Sequence, residues 1–264
     1  MTAGTASVEQ VARGLVARAH EVALCLDFDG TLSPVVDDPE AARPLHGIVE
    51  LLEPLAQRFA AVAIVSGRPA PYLAEHVAAP GVRYLGQYGL QEMYEGSARA
   101  DPRLERARPT VGAATQALRN SPAVRESGAW LEDKVYAIAV HTRRVPDRER
   151  WTDAVDRTAR QIADDHGLEI IPGKMVWELR PPVPSDKGDA VRRVVAESGA
   201  RTVVVVGDDV GDLPAFAALD ALRSHGLHTV KVGVKTAEAP SGFLAQADLV
   251  VDGPAGALEL LRTL

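Results

Sequence analysis

The stretch VALCLDFDGT at residues 22–31 decides the fold. Its first five residues are all apolar, and a short continuous apolar run predicts a strand that is buried on both faces. Asp27 and Asp29 follow directly and are two residues apart, so in an extended backbone their side chains point the same way. Gly30 permits a sharp turn. The stretch therefore predicts two cooperating carboxylates at a strand end, or otherwise a surface turn with solvated acids.

Similar apolar runs recur along the chain at residues 61–65 and 203–206, with further strands expected at 229–232 and 248–251. Helical patterns lie between and after these runs, at residues 45–59, 186–198, 213–223 and 255–262. Continuous apolar strands that alternate with helices predict a parallel sheet with helices on both faces. The fold class is therefore α/β, with a Rossmann-like parallel-sheet core.

The middle of the chain has a different pattern. A helix is expected at residues 100–120, followed by strands at 130–134 and 136–142, a helix at 147–166, and strands at 168–171 and 175–179. This β-β-α-β-β order is typical of a small α+β layer with its own antiparallel sheet. We predict a core formed by residues 1–100 and 183–264, and an inserted α+β domain at 101–182.

Composition narrows the classes of partner and compartment. The 264 residues are 46% apolar and carry a net charge of −7, which does not favour binding to nucleic acid. Cys25 is the single cysteine, which rules out an internal disulfide and favours the cytoplasm. The sequence contains no run of about 18 apolar residues, so we expect no membrane-spanning helix. We expect a monomer with a small-molecule partner.

Two further motifs suit an anionic ligand. Ser66, Gly67 and Arg68 follow the second apolar run and precede a helix begun by proline, which favours phosphate binding at the helix N-terminus. The alternative is an ordinary serine N-cap. Lys187 lies in the first turn of a predicted helix, where it opposes the helix dipole. A fixed anionic partner would explain that position, although a solvated surface lysine is the simpler reading.

The run GDDVGD at residues 207–212 follows the most apolar strand of the chain. Asp208, Asp209 and Asp212 would repel one another at a strand end unless a cation lay between them. Ligand sets made of oxygen alone suit hard cations, and Mg²⁺ suits a phosphate substrate. The alternative is an acidic loop whose carboxylates cap a helix.

The four motifs together, in this order at strand ends, resemble those of the haloacid dehalogenase superfamily of phosphohydrolases. The resemblance covers the whole chain and implies a core with an inserted cap. It implies that Asp27 is the nucleophile, that Asp29 is the general acid and base, and that Ser66 and Lys187 stabilise the transferred phosphate. It also implies a Mg²⁺ ion held by Asp27, the Asp29 backbone carbonyl and Asp208, with Asp209 and Asp212 as supporting acids.

Longer stretches resemble the trehalose-6-phosphate phosphatases within that superfamily. They include LDFDGTLSP at residues 26–34, EDK at 132–134, VHTR at 140–143 and GKMVWELRP at 173–181. In that family the last segment binds sugar hydroxyls, so the resemblance implies sugar contacts at Lys174 and Glu178. The remaining expected substrate-binding residues are Ser66, Gly67, Arg68, Arg143 and Arg180. A cross-strand pair of Lys174 with Glu178, and structural ion pairs for the two arginines of the insertion, remain alternatives.

The sequence also departs from the family pattern. Gly211 and Leu213 stand where the fourth motif has threonine and glutamate, and Tyr88 and Gln91 replace a histidine and a glutamate of the core. Two other functions therefore remain open. One is a phosphatase for another glycosyl phosphate, such as sucrose 6-phosphate or mannosyl-3-phosphoglycerate. The other is a sugar-phosphate sensor without catalysis, which the presence of Asp27 and Lys187 disfavours.

Overall fold

The computed structural model describes residues 8–36, 38–173, 175–237 and 239–264. They form two compact units. The first comprises the described parts of Met1–Arg99 and Ser185–Leu264, and the second, called here the inserted unit, is Ala100–Pro184. The boundaries predicted above lie within two residues of these.

The helices and strands alternate along the first unit. In chain order, the elements of the described residues are α1 Val8–Val16, β1 Val22–Leu26, α2 Val49–Arg58, β2 Ala61–Val65, α3 Ala70–Val77, β3 Val82–Gly86, β4 Gln91–Tyr94, β5 Ser97–Ala100, α4 Pro102–Asn120, α5 Pro122–Ser127, β6 Trp130–Asp133, β7 Ile138–His141, α6 Arg148–Asp165, β8 Glu169–Gly173, β9 Val176–Arg180, α7 Lys187–Ser198, β10 Thr202–Gly207, α8 Leu213–Ser224, β11 His228–Lys235, α9 Ser241–Leu244, β12 Leu249–Asp252 and α10 Gly253–Arg262.

Eight strands form one sheet in the order β12-β11-β10-β1-β2-β3-β4-β5. The strands from β12 to β3 are parallel, and β4 is antiparallel to β3. Leu26 at the end of β1 pairs with Val206 on one side and Ile64 on the other. The three central strands therefore end at the same edge of the sheet. The predicted α/β class with a mainly parallel sheet is confirmed.

Alternate residues of β1 face the two covered sides of this sheet. Leu24 and Leu26 pack in one core with residues of α1, α2 and α10. Ala23 and Cys25 pack in the other core with residues of α7 and α8. Burial raises the pKa of the Cys25 thiol to about 12, so the thiol stays protonated and serves as a small core residue.

The inserted unit has its own antiparallel sheet, in the order β6-β7-β9-β8. Ile138, Val140 and Leu179 extend from one face of this sheet and pack against α4 and α6. Trp177 is buried in the same cluster. The other face carries charged side chains, which are described with the candidate site.

Some element boundaries differ from those predicted. The helix expected at 45–59 begins at Val49, because Gly47 has a φ of 94°, which is outside helical geometry. The strand expected at 136–142 begins only at Ile138, because Val135 has a φ of 70° and the Tyr136 N–H donates to Lys134 O in a tight turn.

The sequence patterns did not reveal the edge hairpin of β4 and β5. This segment contains no apolar run, and the hairpin forms around Glu95 and Gly96, whose φ angles are 47° and 76°. Two consecutive residues with positive φ are typical of the tight turns that match strand twist.

None of the helices in the described ranges is both long and apolar enough to cross a membrane.

Gly86 provides a test of the close contact between β3 and α3. Its φ of −87° suits any residue, but a Cβ would lie 2.1 Å from Ala70 N and 2.5 Å from Arg68 O. We expect Gly86→Ala to lower the free energy of unfolding by about 1–3 kcal/mol, since backbone atoms must shift. The matched control is Gly14→Ala in α1, where a Cβ meets nothing within 4 Å and helix propensity favours alanine by about 1 kcal/mol. Urea unfolding measures both, and equal effects would contradict this account.

Candidate active site

The ends of β1, β2 and β10 carry Asp27, Ser66 and Asp208 at one edge of the sheet. The hydrogen-bond ladder continues to these residues, since Asp27 N–H donates to Val206 O at 2.9 Å and Ser66 N–H donates to Leu85 O at 3.0 Å. The carboxyl ends of parallel strands open onto the usual ligand crevice of such sheets. The first and fourth motifs therefore meet where a ligand is expected.

Three carboxylates form a buried cluster at this edge. One oxygen each of Asp27, Asp208 and Asp212 lies within 4.8 Å of the others, and the residues are 6%, 5% and 1% exposed. Burial raises the pKa of Asp27 well above its ordinary value, even though Lys187 opposes this. Burial, with repulsion from neighbouring acids, raises the pKa of Asp208 to about 7. The cluster is thus short of positive charge.

Lys187 supplies part of that charge. Its Nζ donates to Asp27 Oδ1 and to Asp212 Oδ1, both at 2.6 Å. Burial alone would lower the pKa of Lys187, but Asp212 and Asp27 outweigh it and raise the pKa well above its ordinary value. The ammonium is therefore charged, and the anionic partner expected for a first-turn lysine consists here of two carboxylates. Asp186 and Asp189 fix the start of α7 through a capping box.

Asp212, expected to be a supporting acid, lies within the buried cluster itself. Besides accepting from Lys187, its Oδ2 accepts from the backbone N–H groups of Asp208 at 2.9 Å and Asp209 at 3.3 Å. The Asp209 side chain instead accepts from Gly211 N–H at 2.8 Å and begins the 3₁₀ turn Val210–Asp212. A Cβ at position 211 would lie 2.9 Å from Asp209 Oδ1. Glycine at this position therefore leaves room for the Asp209 cap.

Asp29 has a different partner from Asp27. Arg68 donates to it in a bidentate pair, through Nε at 2.7 Å and through NH2 at 2.6 Å. The guanidinium also donates from NH1 to Pro39 O at 2.6 Å, and lies 4.6 Å from the ring centroid of Tyr72 and 5.6 Å from that of Phe28. Arg68, expected to contact substrate, is thus held against the Asp29 carboxylate.

The Ser66–Arg68 turn is shaped by residues that depart from the family pattern. Ser66 Oγ accepts from Arg68 N–H at 3.1 Å, which leaves its own proton for donation. A Cβ at Gly67 would lie 2.9 Å from the Tyr88 hydroxyl oxygen, so Tyr88 covers this glycine. Gln91 Oε1 accepts from Ala70 N–H at 3.0 Å and so caps α3. These contacts assign structural roles to the two substituted residues.

The charged face of the inserted unit carries Glu178. Its Oε2 accepts from Lys134 Nζ at 2.6 Å, and the same ammonium lies 4.0 Å from Glu132 Oε2. Glu132 also pairs with His141 Nε2 at 2.9 Å, and the imidazole packs on the Trp130 ring with centroids 4.7 Å apart. Glu178 is therefore one end of a chain in which acidic and basic side chains alternate.

The other three residues of this part of the chain that were expected to bind substrate are Lys174, Arg143 and Arg180. Lys174 lies outside the described residues, so its expected contact is not assessed. Arg143 is half-buried after the end of β7. Arg180 donates from Nε to Glu169 Oε1 at 2.6 Å, which is the structural ion pair considered as an alternative.

The sequence reading overlooked two residues in these networks. Thr236 Oγ1 contacts Asp208 Oδ2 at 3.4 Å, and no motif indicated it. Lys134 lies in the stretch EDK at residues 132–134, but the family resemblance implied no role for it. Its spacing of two residues from Glu132 places both on one face of an extended segment, which could have indicated the pairing.

The donor set of the cluster fits a hard divalent cation. Its ligands are carboxylate oxygens, which Mg²⁺ and Ca²⁺ prefer, and two of them carry raised pKa values. A Cβ at Gly30 would lie 2.0 Å from Asp208 Oδ2, so the chain next to Asp29 closely approaches that carboxylate. This proximity suits a site that combines side-chain oxygens with the Asp29 carbonyl.

Two curated relatives are similar in sequence over most of this chain. The trehalose-phosphate phosphatase of Mycobacterium avium is 35% identical over 249 residues, which is 92% of this chain and 61% of the relative. That of Mycobacterium tuberculosis is 36% identical over 227 residues, 83% of this chain and 56% of the relative. The chain thus spans about three fifths of the length of these relatives.

Solved structures share the fold. The C-terminal domain of the C. albicans trehalose-6-phosphate phosphatase is similar with a TM-score of 0.71 and 22% identity, covering 99% of this chain and 98% of that one. The corresponding domain of the Candida albicans trehalose synthase regulatory protein gives a TM-score of 0.69 at 15% identity, covering 96% and 97%. Identities this low show the fold alone, which a regulatory protein also has.

A family model described as trehalose-phosphatase matches residues 25–247, from within β1 to just before β12. The match contains all four motifs and the entire inserted unit. The chain therefore belongs to the trehalose-phosphatase family.

Proposed function

We propose that this chain hydrolyses trehalose 6-phosphate to trehalose and inorganic phosphate, through a phosphorylated Asp27 and with Mg²⁺ as cofactor. The observation that carries the proposal is the buried cluster of Asp27, Asp208 and Asp212 with Lys187, in a member of this family. The same cluster argues against a sensor, which needs no nucleophile. Sucrose 6-phosphate and mannosyl-3-phosphoglycerate are the competing substrates.

In the first step, Asp27 attacks phosphorus. Its Oδ1 is bound by Lys187, so we assign Oδ2 as the attacking oxygen. The Oδ2–P bond forms while the bond from phosphorus to the sugar oxygen breaks, and Asp29 gives its proton to that oxygen. Because the pair with Arg68 requires an ionised carboxylate, Asp29 must turn away from Arg68 to carry this proton.

In the second step, water attacks the phosphorus of the acyl phosphate. Asp29, now ionised, takes a proton from the water, and the bond between phosphorus and Asp27 breaks to release inorganic phosphate. Asp29 is ionised only between its loss of a proton to the sugar oxygen and its uptake of the water proton, and the pair with Arg68 suits that ionised form. Ser66 donates a hydrogen bond to a phosphate oxygen in both steps, and Lys187 stabilises the charge on Asp27 and on the phosphate.

Two anions approach each other in the first step, so positive charge must be supplied at the cluster. Mg²⁺ held by Asp27, Asp208 and the Asp29 carbonyl would supply it and polarise the phosphate. Asp212 contributes by orienting the loop and Lys187, since its oxygens already accept from the ammonium and two backbone amides. Asp209 supports the loop as a cap.

Sugar recognition is assigned to the inserted unit. Sugar hydroxyls are neutral and need directional partners, and Glu178 accepts while Lys134 and Lys174 donate. The pair of Glu178 with Lys134 holds the carboxylate in place before substrate arrives, which reduces the entropy lost on binding. Arg143, Arg180, Gly67 and Arg68 are proposed to support these contacts, the last two on the phosphate side.

Asp27→Asn tests the nucleophile. We expect phosphate release from trehalose 6-phosphate to stop with the fold intact, because the amide is isosteric but cannot form the acyl phosphate. Borohydride should convert phosphorylated Asp27 to homoserine in the wild type during turnover, which mass spectrometry detects.

The matched control is Asp209→Asn, which keeps the cap of the 3₁₀ turn because asparagine caps as well as aspartate. It should retain most of the activity. Near-normal turnover by folded Asp27→Asn would refute the proposed chemistry.

Chelation tests the metal. We expect chelator to stop turnover, Mg²⁺ to restore it, and Ca²⁺ to inhibit, since Ca²⁺ takes more ligands and permits side-on binding of Asp27. Mg²⁺ should also raise the Tm of the wild type, but not of Asp208→Asn. Because the pKa of Asp208 is raised to about 7, protons should compete with Mg²⁺, and its affinity should fall as the pH drops through that value.

Full activity after exhaustive chelation, or an equal rise in Tm for Asp208→Asn, would contradict this site.

Glu178→Gln separates sugar recognition from phosphate chemistry. Hydrogen bonds to charged groups contribute more binding free energy than those between neutral groups. We therefore expect Glu178→Gln to lose roughly 10- to 100-fold in kcat/KM for trehalose 6-phosphate. Hydrolysis of p-nitrophenyl phosphate, which lacks the sugar, should change little. Lys174→Ala should have the same selective effect.

Arg160→Ala is the control, because it breaks an exposed ion pair with Asp156 on α6 of the same unit. It should leave the ratio of the two kcat/KM values unchanged. If the ratio were the same in wild type and Glu178→Gln, Glu178 would have a structural role and no role in sugar binding. If sucrose 6-phosphate were hydrolysed faster than trehalose 6-phosphate, it would replace trehalose 6-phosphate as the proposed substrate.

A further inference from the structure

A cavity of about 540 Å³ lies in the first unit, away from the acid cluster. Its walls include Ala61 and Gly81, at the amino ends of β2 and β3, and Glu197 at the end of α7. The candidate catalytic residues instead follow the carboxyl ends of β1, β2 and β10. A strand of five residues spans about 16 Å, so the cavity is at the opposite edge of the sheet.

The charged groups around this cavity are equal in number of each sign, and three of them are held in close ion pairs. Arg83 is buried and donates from NH2 to Glu92 Oε1 at 2.6 Å and to Glu197 Oε2 at 2.5 Å. Glu92 Oε2 also lies 3.6 Å from Arg193 NH2. Among the described residues that line the cavity or pair with its wall, the basic groups are Arg83, Arg99 and Arg193, and the acidic groups are Glu92, Glu95 and Glu197.

This balance selects against ions. A phosphate or other anion would approach three carboxylates, and a cation would approach three guanidinium groups, so neither gains a net Coulomb attraction. Each charged group still offers hydrogen bonds, because carboxylates accept and guanidiniums donate. The walls therefore suit a neutral ligand that both donates and accepts, which is the chemistry of hydroxyl groups.

The remaining walls suit the carbon skeleton of such a ligand. Tyr94 lines the cavity, is 38% exposed, and has the Arg83 guanidinium carbon 5.9 Å from its ring centroid. The lining also contains the small residues Ala56, Ala61 and Gly81, and a Cβ on Gly81 would lie 3.2 Å from that of Ala56. Sugars present C–H faces to aromatic rings and small apolar surfaces, while their hydroxyls meet polar groups.

We propose that this cavity binds a neutral carbohydrate, up to the size of a disaccharide. Its volume falls within the range of small-molecule sites, which is about 300–1,000 Å³. The site is separate from the acid cluster, so its ligand needs no phosphate and undergoes no reaction there. The proposal does not depend on the function proposed above.

The test is a titration of the ¹⁵N-labelled 264-residue chain, followed by amide chemical shifts. The probes are trehalose, maltose and sucrose, with inorganic sulfate and spermidine as charged probes. We expect saturable shifts at the cavity, at Gly81, Tyr94, Glu95 and Ser97, with at least one neutral sugar. Shifts at Asp208 and Gly211 report separately on the acid cluster.

Two variants distinguish a binding site from a structural ion-pair network. Tyr94→Ala removes an exposed ring and its contact with the Arg83 guanidinium but leaves the Arg83 ion pairs in place, and should weaken sugar binding at the cavity about tenfold. Its turnover of trehalose 6-phosphate without added sugar should match the wild type. Arg192→Ala, which loses an exposed pair with Asp189 on α7, should leave binding unchanged.

Three outcomes would overturn the proposal. They are the absence of saturable cavity shifts with all three sugars at tens of millimolar, saturation by sulfate or spermidine instead, and equal sugar binding by Tyr94→Ala and the wild type. Loss of phosphatase activity in Asp27→Asn is measured independently, so failure of one proposal does not imply failure of the other.

Discussion

Repulsion among buried carboxylates is the constraint that organises the first unit. Asp27, Asp208 and Asp212 each bring an oxygen to within 4.8 Å of the others, at almost no exposure to solvent. Leaving a buried charge without its partner costs about 3–5 kcal/mol, so compensation must be built into the fold. Lys187 provides it with two hydrogen bonds of 2.6 Å, which requires α7 to begin at that residue. The capping box of Asp186 and Asp189, and the amides that bind Asp212, follow from the same requirement.

The two carboxylates of the first motif are separated by their partners. Asp27 faces an ammonium in a buried cluster, whereas Asp29 is half-exposed and faces a guanidinium that is held by Pro39 O and two aromatic rings. Two acids only two residues apart can therefore differ in their partner and in contact with water. That difference is what a pair consisting of a nucleophile and a proton carrier requires.

The sheet of the first unit offers different chemistry at its two edges. The carboxyl edge concentrates negative charge around a lysine, which suits a cation and a phosphate. The amino edge has equal numbers of acidic and basic groups around a cavity, which suits a neutral ligand. The inserted unit resembles the amino edge in this respect, because acidic and basic side chains also alternate on its charged sheet face. They are Glu178, Lys134, Glu132 and His141. Neutral hydroxyl groups can find both donors and acceptors there.

The sequence by itself determined the α/β core, the insertion and the order of the motifs. These depend on local rules: continuous apolar runs form buried strands, and polar residues directly after them come to one edge of a parallel sheet. It did not reveal the β4–β5 hairpin, whose residues form no apolar run, or the role of Asp212 within the cluster. Only the tertiary structure decided that Arg68 holds Asp29 and that Lys134 holds Glu178. Those partners are 39 and 44 residues apart, and their meeting depends on strand register and loop path, which no local pattern encodes.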